Sequence, residues 1–129
     1  AVTMGAASIK DLFAEDFYRG LEGGILEAFG RLFTRNMRIY VYPLLDQATG
    51  QLTTGANIEL PTELKHLYAH LMERGRIRDL ETFDREVLHI FSRDVLRRIK
   101  EQDKSWETMV PPEIAETIKA RRFFGYQPE

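Results

Sequence analysis

Residues 83–102 read FDREVLHIFSRDVLRRIKEQ, and the parsing of this stretch decides the fold. In one parsing, residues 87–91 (VLHIF) are a short buried strand and Ser92 caps a separate basic helix. In the other, residues 83–102 are one helix with Leu88, Phe91, Val95 and Ile99 as its buried stripe. Periodicity alone does not arbitrate between strand and helix in so short an apolar run. The first parsing adds a small parallel sheet. The second leaves a mainly helical chain with a central strand and hairpin. The fold class is α+β in both, and the residues leave both open.

Downstream, the last helix is well marked. Pro112 sits in its first turn, Glu113 and Glu116 lie near its positive end, and Lys119, Arg121 and Arg122 lie near its negative end. Gly125 is the expected stop. Ile114, Ala115 and Ile118 give a narrow buried face. Phe123, Phe124 and Tyr126 group with Trp106 as late-core or partner-binding aromatics.

Upstream, residues 60–62 (LPT) open a helix whose buried face is Leu64, Leu67, Tyr68, Leu71 and Met72, stopped at Gly75. His66 and His70 stand four apart with Glu63 and Glu73 beside them. Two imidazoles at that spacing can chelate a metal, but no third ligand is implied, and a solvated helix face is the expectation. Residues 37–45 (MRIYVYPLL) are the clearest strand, apolar on both faces and therefore suited to a covered position. Pro43 removes a ladder donor, so the strand leaves the sheet there or runs along its edge. Residues 46–50 (DQATG) are turn chemistry, and residues 51–54 can return antiparallel.

Ser8 is the expected cap of an amphipathic helical run with Ile9, Phe13, Phe17, Leu21, Ile25, Phe29 and Phe33 every four residues. Gly23 and Gly24 favour a break into two helices. The opening residues, AVTMGAAS, lack a basic start and an apolar h-region, so they are not a complete signal peptide, and they read as a processed end, an added remnant or a cut inside a longer protein. The predicted core includes Leu21, Ile25, Phe29, Ile39, Val41, Leu67 and Leu71.

The 129 residues suit one domain, 1–129, either alone or as the C-terminal domain of a longer protein. The net charge of −2 gives no polycation argument for nucleic acid. The charge is uneven: residues 1–30 are acidic, whereas residues 74–100 hold eight bases against five acids. No cysteine is present, which excludes disulfides, thiolate catalysis and Cys-ligated metals, and fits a cytoplasmic setting. No apolar run approaches the roughly 20 residues that span a bilayer, so no membrane partner is expected.

The candidate site is Ser92, Arg93 and Arg97. A helix opening at Ser92 offers free backbone N–H groups, a hydroxyl and the positive end of the dipole, with two guanidinium forks nearby. That combination suits a phosphate. The ordinary alternative is a capped helix with solvent arginines.

The order of features in residues 90–126 resembles the C-terminal end of the nicotinate/nicotinamide mononucleotide adenylyltransferases, where a strand runs into an I-S-S-T-x-I-R helix start and a V-P helix follows. Ile90 matches the first isoleucine, Ser92 the second serine and Val95 the second isoleucine. Phe91 stands at the first serine, Arg93 at the threonine and Leu96 at the arginine. Val110, Pro111 and Ile118 match the ending helix. In that family the serine, threonine and arginine help hold ATP phosphates, so the resemblance implies ATP or a mononucleotide as ligand. The family's G-x-F-x-P-x-H-x-G-H start is not in this sequence, so the chain is not expected to transfer adenylyl groups alone, nor to require a cofactor. The alternative is a small interaction subunit that docks a protein partner or a second copy through Trp106, Phe123, Phe124 and Tyr126.

Overall fold

The first residues of the chain form a strand. Val2–Gly5 (β1) pairs in parallel with Ile39–Tyr42 (β2), which pairs in parallel with Ile77–Asp79 (β5) on its other side. The computed structural model describes residues 1–128, grouped into two units, Ala1–Asp84 and Arg85–Glu129. The class is α+β. One of the two parsings of residues 83–102 would have added a parallel sheet through residues 87–91; a parallel sheet is present, but these three other segments build it.

In the first unit the register sets Val2 beside Ile39 and Ile39 beside Ile77. β2 is central, and Ile39 and Val41 are fully buried while Tyr40 is half-buried and Tyr42 exposed. At Pro43 the chain leaves the sheet. Leu44–Leu45 (β3) then pairs antiparallel with Leu52–Thr53 (β4), closing the expected hairpin. The Asp46 carboxylate accepts from the backbone amides of Ala48 at 2.9 Å and Thr49 at 3.3 Å, an Asx turn that fixes the reversal.

The helix after β1 is Ala6–Leu12 (α1), so Ser8 lies inside it rather than capping it. The helix follows directly on the strand, with Gly5 still extended at its cap, φ −69° and ψ 152°. The amphipathic run breaks as the glycines suggested. A short 3₁₀ turn covers Glu15–Tyr18, and Gly24–Leu32 (α2) starts at a left-handed Gly24, φ +55°. The Gly23 amide donates to Glu27 Oε2 at 2.9 Å, satisfying one of the free donors at the helix start. Phe13, Ile25 and Phe29 are buried, whereas Phe17 is 75% exposed because it falls in the turn between the helices. Leu21 is half-buried rather than core.

A 3₁₀ turn at Thr62–Leu64 leads into Lys65–Glu73 (α3), and Gly75, φ +66°, lets the chain reverse into β5. Leu64, Tyr68 and Leu71 are buried, while Leu67 and Met72 pack at the margin. Phe13 meets Phe29 and Tyr68 edge-on at 4.9 and 5.3 Å between ring centroids. The Tyr68 hydroxyl donates to the Gly55 carbonyl at 2.6 Å, and Asp79 at the end of β5 accepts from the Gly55 amide at 2.6 Å and the Ala56 amide at 3.2 Å. The loop around the buried Gly55 is thereby tied to a helix and to a strand end.

In the second unit neither parsing of residues 83–102 holds. Arg85–Val87 is a 3₁₀ turn, residues 88–91 are irregular, and Ser92–Lys100 (α4) starts after an extended Phe91, φ −111° and ψ 133°. A strand needs a ladder partner and residues 87–91 have none. The buried stripe begins only at Val95 and continues at Ile99, and Phe91 is 46% exposed. A 3₁₀ helix at Lys104–Thr108 and Pro112–Arg121 (α5) follow. Val95, Ile99, Trp106, Ala115 and Ile118 form the core of this unit. α5 closes at Arg122, left-handed at φ 53°, so Gly125 ends the short turn Phe123–Gly125 that comes after it.

Candidate functional site

α4 carries Arg93, Leu96, Arg97 and Lys100, and Glu101 ends it, at spacings of three and four that place them on one helix face. These five residues line a solvent-open hollow of about 360 Å³. Leu96 is half-buried, as suits the floor of a shallow depression, and the cations stand around it.

The three cations are not equivalent. Arg97 Nη1 donates to Glu101 Oε2 at 2.7 Å and Nη2 to Asp94 Oδ1 at 2.5 Å. Its guanidinium is held above its ordinary range, chiefly by the bond to Asp94 and then by the Glu101 charge. The Asp94 carboxyl is correspondingly held below its usual range, first by Arg97 and then by Arg98. Arg98 turns to the other side of the helix, where Nη1 donates to Ser105 Oγ at 2.6 Å. Asp103 accepts from the Ser105 hydroxyl at 2.6 Å and amide at 3.0 Å, and these bonds keep its carboxyl below the ordinary range. Arg93 and Lys100 make no ion pair among the described residues. They lie seven residues apart, about 10.5 Å along the axis. The hollow thus has a locked arginine between two uncommitted cations.

Ser92 is the first helical residue, not the cap. The Phe91 carbonyl accepts from the amides of Asp94 at 3.0 Å and Val95 at 3.1 Å, and no side chain caps the helix. The amides of Ser92 and Arg93 are the free donors of this helix start. Ser92 and Arg93 are exposed, as the phosphate reading requires, but Ser92 does not line the hollow. Lys100 does, and sequence reasoning passed over it although its spacing from Arg93 was legible.

The four aromatics divide. Trp106 is 1% exposed and belongs to the core, so it offers no docking surface. Tyr126 is half-buried, its ring centroid 6.1 Å from that of Trp106. Phe123 and Phe124 are 42% and 54% exposed. The Arg121 guanidinium lies 5.9 Å from the Phe123 ring centroid. His66 and His70 are exposed on α3, and no cluster of three metal-ligating side chains occurs among the described residues. Nothing lining the hollow is arranged as a nucleophile with its base. Among the described residues no helix is long and apolar enough to cross a membrane.

Comparison with known proteins finds no matching family model, no matching curated protein and no matching solved structure.

Proposed function

We propose that this chain is a domain related to the mononucleotide adenylyltransferases that binds nucleotide phosphates on α4 without a complete catalytic apparatus, in the cytoplasm, alone or as the C-terminal part of a longer protein. The observation that carries the reading is the hollow in which Arg93, Arg97 and Lys100 stand with Leu96 and Glu101. Among the described residues Arg93 and Lys100 are in no ion pair, so a ligand need not first break one of these to reach them. Arg97 is already bonded to two carboxylates, so its charge is compensated and it offers no free fork. The free amides of Ser92 and Arg93 lie at the positive end of the helix.

Calorimetry with ATP and with a mononucleotide tests this. Hydrogen bonds to charged groups are worth about 1.5–3 kcal/mol, so Arg93→Ala is expected to weaken a phosphorylated ligand about 10- to 150-fold. Absence of binding below millimolar concentration, or binding that survives Arg93→Ala combined with Lys100→Ala, overturns the reading. No pyrophosphate release is expected from the chain with ATP and a mononucleotide. Turnover abolished by a substitution in this chain would reveal a missed site.

The exposure of Phe123 and Phe124 favours a second reading, a small interaction subunit that docks a protein or a second copy. In that case Phe123→Ala and Phe124→Ala change the elution volume in size-exclusion chromatography, and nucleotides do not bind.

A further inference from the structure

The helices of the first unit cover one side of its sheet. Ile9, Phe29 and Leu71 pack in a single core with Ile39, Val41 and Ile77. Alternation along the strands puts Tyr40, Tyr42 and Arg78 on the other side. The register sets Thr3, Tyr40 and Arg78 abreast, with Gly5 beside Tyr42. Thr3, Tyr42 and Arg78 are exposed, and Tyr40, on the central strand, is half-buried. A parallel sheet is ordinarily buried on both faces, and the strands are then rich in Val, Ile and Leu throughout. This face carries hydroxyls, phenol rings and a guanidinium instead, which suit a polar and aromatic occupant better than an apolar protein layer.

Charge is sorted across the sheet. Asp79, the one acid in the three strands, stands in register with Val41 on the covered side, where its carboxylate is engaged by the Gly55 and Ala56 amides. On the open side Arg78 Nε donates to the Gly75 carbonyl at 3.2 Å, a neutral acceptor that cancels none of its charge. Arg38 is exposed at the entry to β2. Its carbonyl accepts from the Val2 amide at 2.9 Å, which continues the ladder and sets its side chain on the Tyr40 side. The net charge of −2 conceals this local excess. Tyr42 is also braced. A Cβ on Gly5 would stand 3.2 Å from Tyr42 Cζ, so the bare glycine lets the outer end of the ring rest on the neighbouring strand. The ring nevertheless stays 45% exposed.

We infer that this open face binds single-stranded nucleic acid, with bases stacked on Tyr40 and Tyr42 and phosphates met by Arg38 and Arg78. Aromatic side chains that stack successive bases, beside cations that track the backbone, are the physical requirements of such a site. Two residues along a strand separate the two tyrosines by about 6.6 Å. Bases in a duplex follow one another every ~3.4 Å along the axis. The two rings therefore fit consecutive bases of a strand drawn open, and neither a duplex nor a lone nucleotide occupies both. Stacking accepts every base, so the face sets the ligand class and leaves its sequence open. The inference is independent of the hollow on α4, which belongs to the other unit.

The test is fluorescence anisotropy of the full chain at low salt with short labelled oligouridine, with oligodeoxythymidine, and with a DNA duplex of the same length. Both single strands are expected to bind, and the duplex more weakly. Tyr42→Ala is expected to weaken the single strands about 5- to 150-fold, the range for losing one base–aromatic stack, and Tyr42→Phe to keep their affinity. Affinity should fall as salt rises, and the logarithmic slope should drop by about 0.7 in Arg38→Ala and again in Arg78→Ala, one phosphate contact each. The melting temperature reports whether each variant keeps its fold. If Tyr42→Ala lowers it, Tyr42→Leu takes its place, keeping apolar bulk without the aromatic face. Tighter binding of oligouridine adds a contact to the 2′-hydroxyl, whereas equal or greater affinity for oligodeoxythymidine confines recognition to bases and phosphates, and both results support the inference. Failure of both single strands to bind overturns it, as does a duplex that binds equally well. An affinity unmoved in Tyr42→Ala and Tyr42→Leu, or a salt slope unmoved in both arginine variants, places any binding elsewhere and overturns it too. Loss of self-association in Tyr42→Ala, with no nucleic acid bound by the parent chain, shows a contact between copies and overturns the inference.

Discussion

In Ala1–Asp84, Val2 finds its partner at Ile39, and Ile39 its next partner at Ile77. In Arg85–Glu129 the corresponding work is done by neighbours: α4, the 3₁₀ helix Lys104–Thr108 and α5 follow one another and share the side chain of Trp106. The first unit buries Phe13 edge-on to both Phe29 and Tyr68 beside a sheet. The second buries five residues and surrounds them with charge pairs, including Lys119 with Glu107 and Arg98 with Asp94. Long-range pairing makes a unit that is slow to assemble but well defined once formed. A small core with local contacts leaves each buried residue a larger share of the stability.

The largest expected effect follows from that difference. Trp106→Ala should destabilise by about 3–5 kcal/mol, the usual range for removing a buried large aromatic. Amide exchange in α4 and α5 should then rise while β2 stays protected. Equal deprotection of β2 would show that the two regions unfold together, and the contrast drawn above would be lost.

A smaller effect is expected at the loop of the first unit. Tyr68→Phe leaves the Gly55 carbonyl without its donor, and Gly55 is buried, so the loss should be about 1–3 kcal/mol. The hydroxyl is pushed up to about 12 from 10.0, by burial first and by the Asp79 charge second. Folding therefore favours the neutral phenol. That stabilisation is whole below about pH 10 and is lost as pH rises through the folded value. Thermal unfolding across this alkaline window should show a slope in the parent chain that flattens in Tyr68→Phe. An unchanged slope would assign it to another group.

The smallest effect belongs to the surface of the second unit. The carboxyls of Asp94 and Asp103 are held below their ordinary range by Arg97 and Ser105 respectively. Their contribution is present at neutral pH and disappears as acid titrates them, opposite in sign to that of Tyr68. Asp94→Asn should lower the melting temperature slightly at neutral pH and low salt, and less in high salt, because exposed pairs are screened. A salt-independent loss would mean that Asp94 acts by its helix position and not by its charge.

Much of the second unit was legible from residue types. Pro112 marked the start of α5, and the Val95–Ile99 spacing marked the buried side of α4. Arg93 and Arg97 were singled out as guanidinium forks near a helix start at Ser92, and both line the hollow on α4. The pairing of Arg97 with Asp94 and Glu101 was not legible, because many rotamers compete for an exposed guanidinium and local contacts choose among them. Trp106 and Phe124 are alike in apolar character, and nothing in their types says that one is buried and the other displayed.

The sequence by itself determined the α+β class, the hairpin at Asp46, the break ahead of Gly24 and the buried side of α4. Each rests on a local preference: turn chemistry, glycine's access to positive φ, or a periodic apolar face. Only the tertiary structure decided that Val2–Gly5 is a strand and residues 87–91 are not. Four residues carry too little pattern to declare a strand, and the deciding free energy lies in hydrogen bonds to a partner far along the chain. The same holds for the hollow on α4. Its charges are written in the sequence, but which of them remain unpaired is settled only when the neighbouring carboxylates take their places.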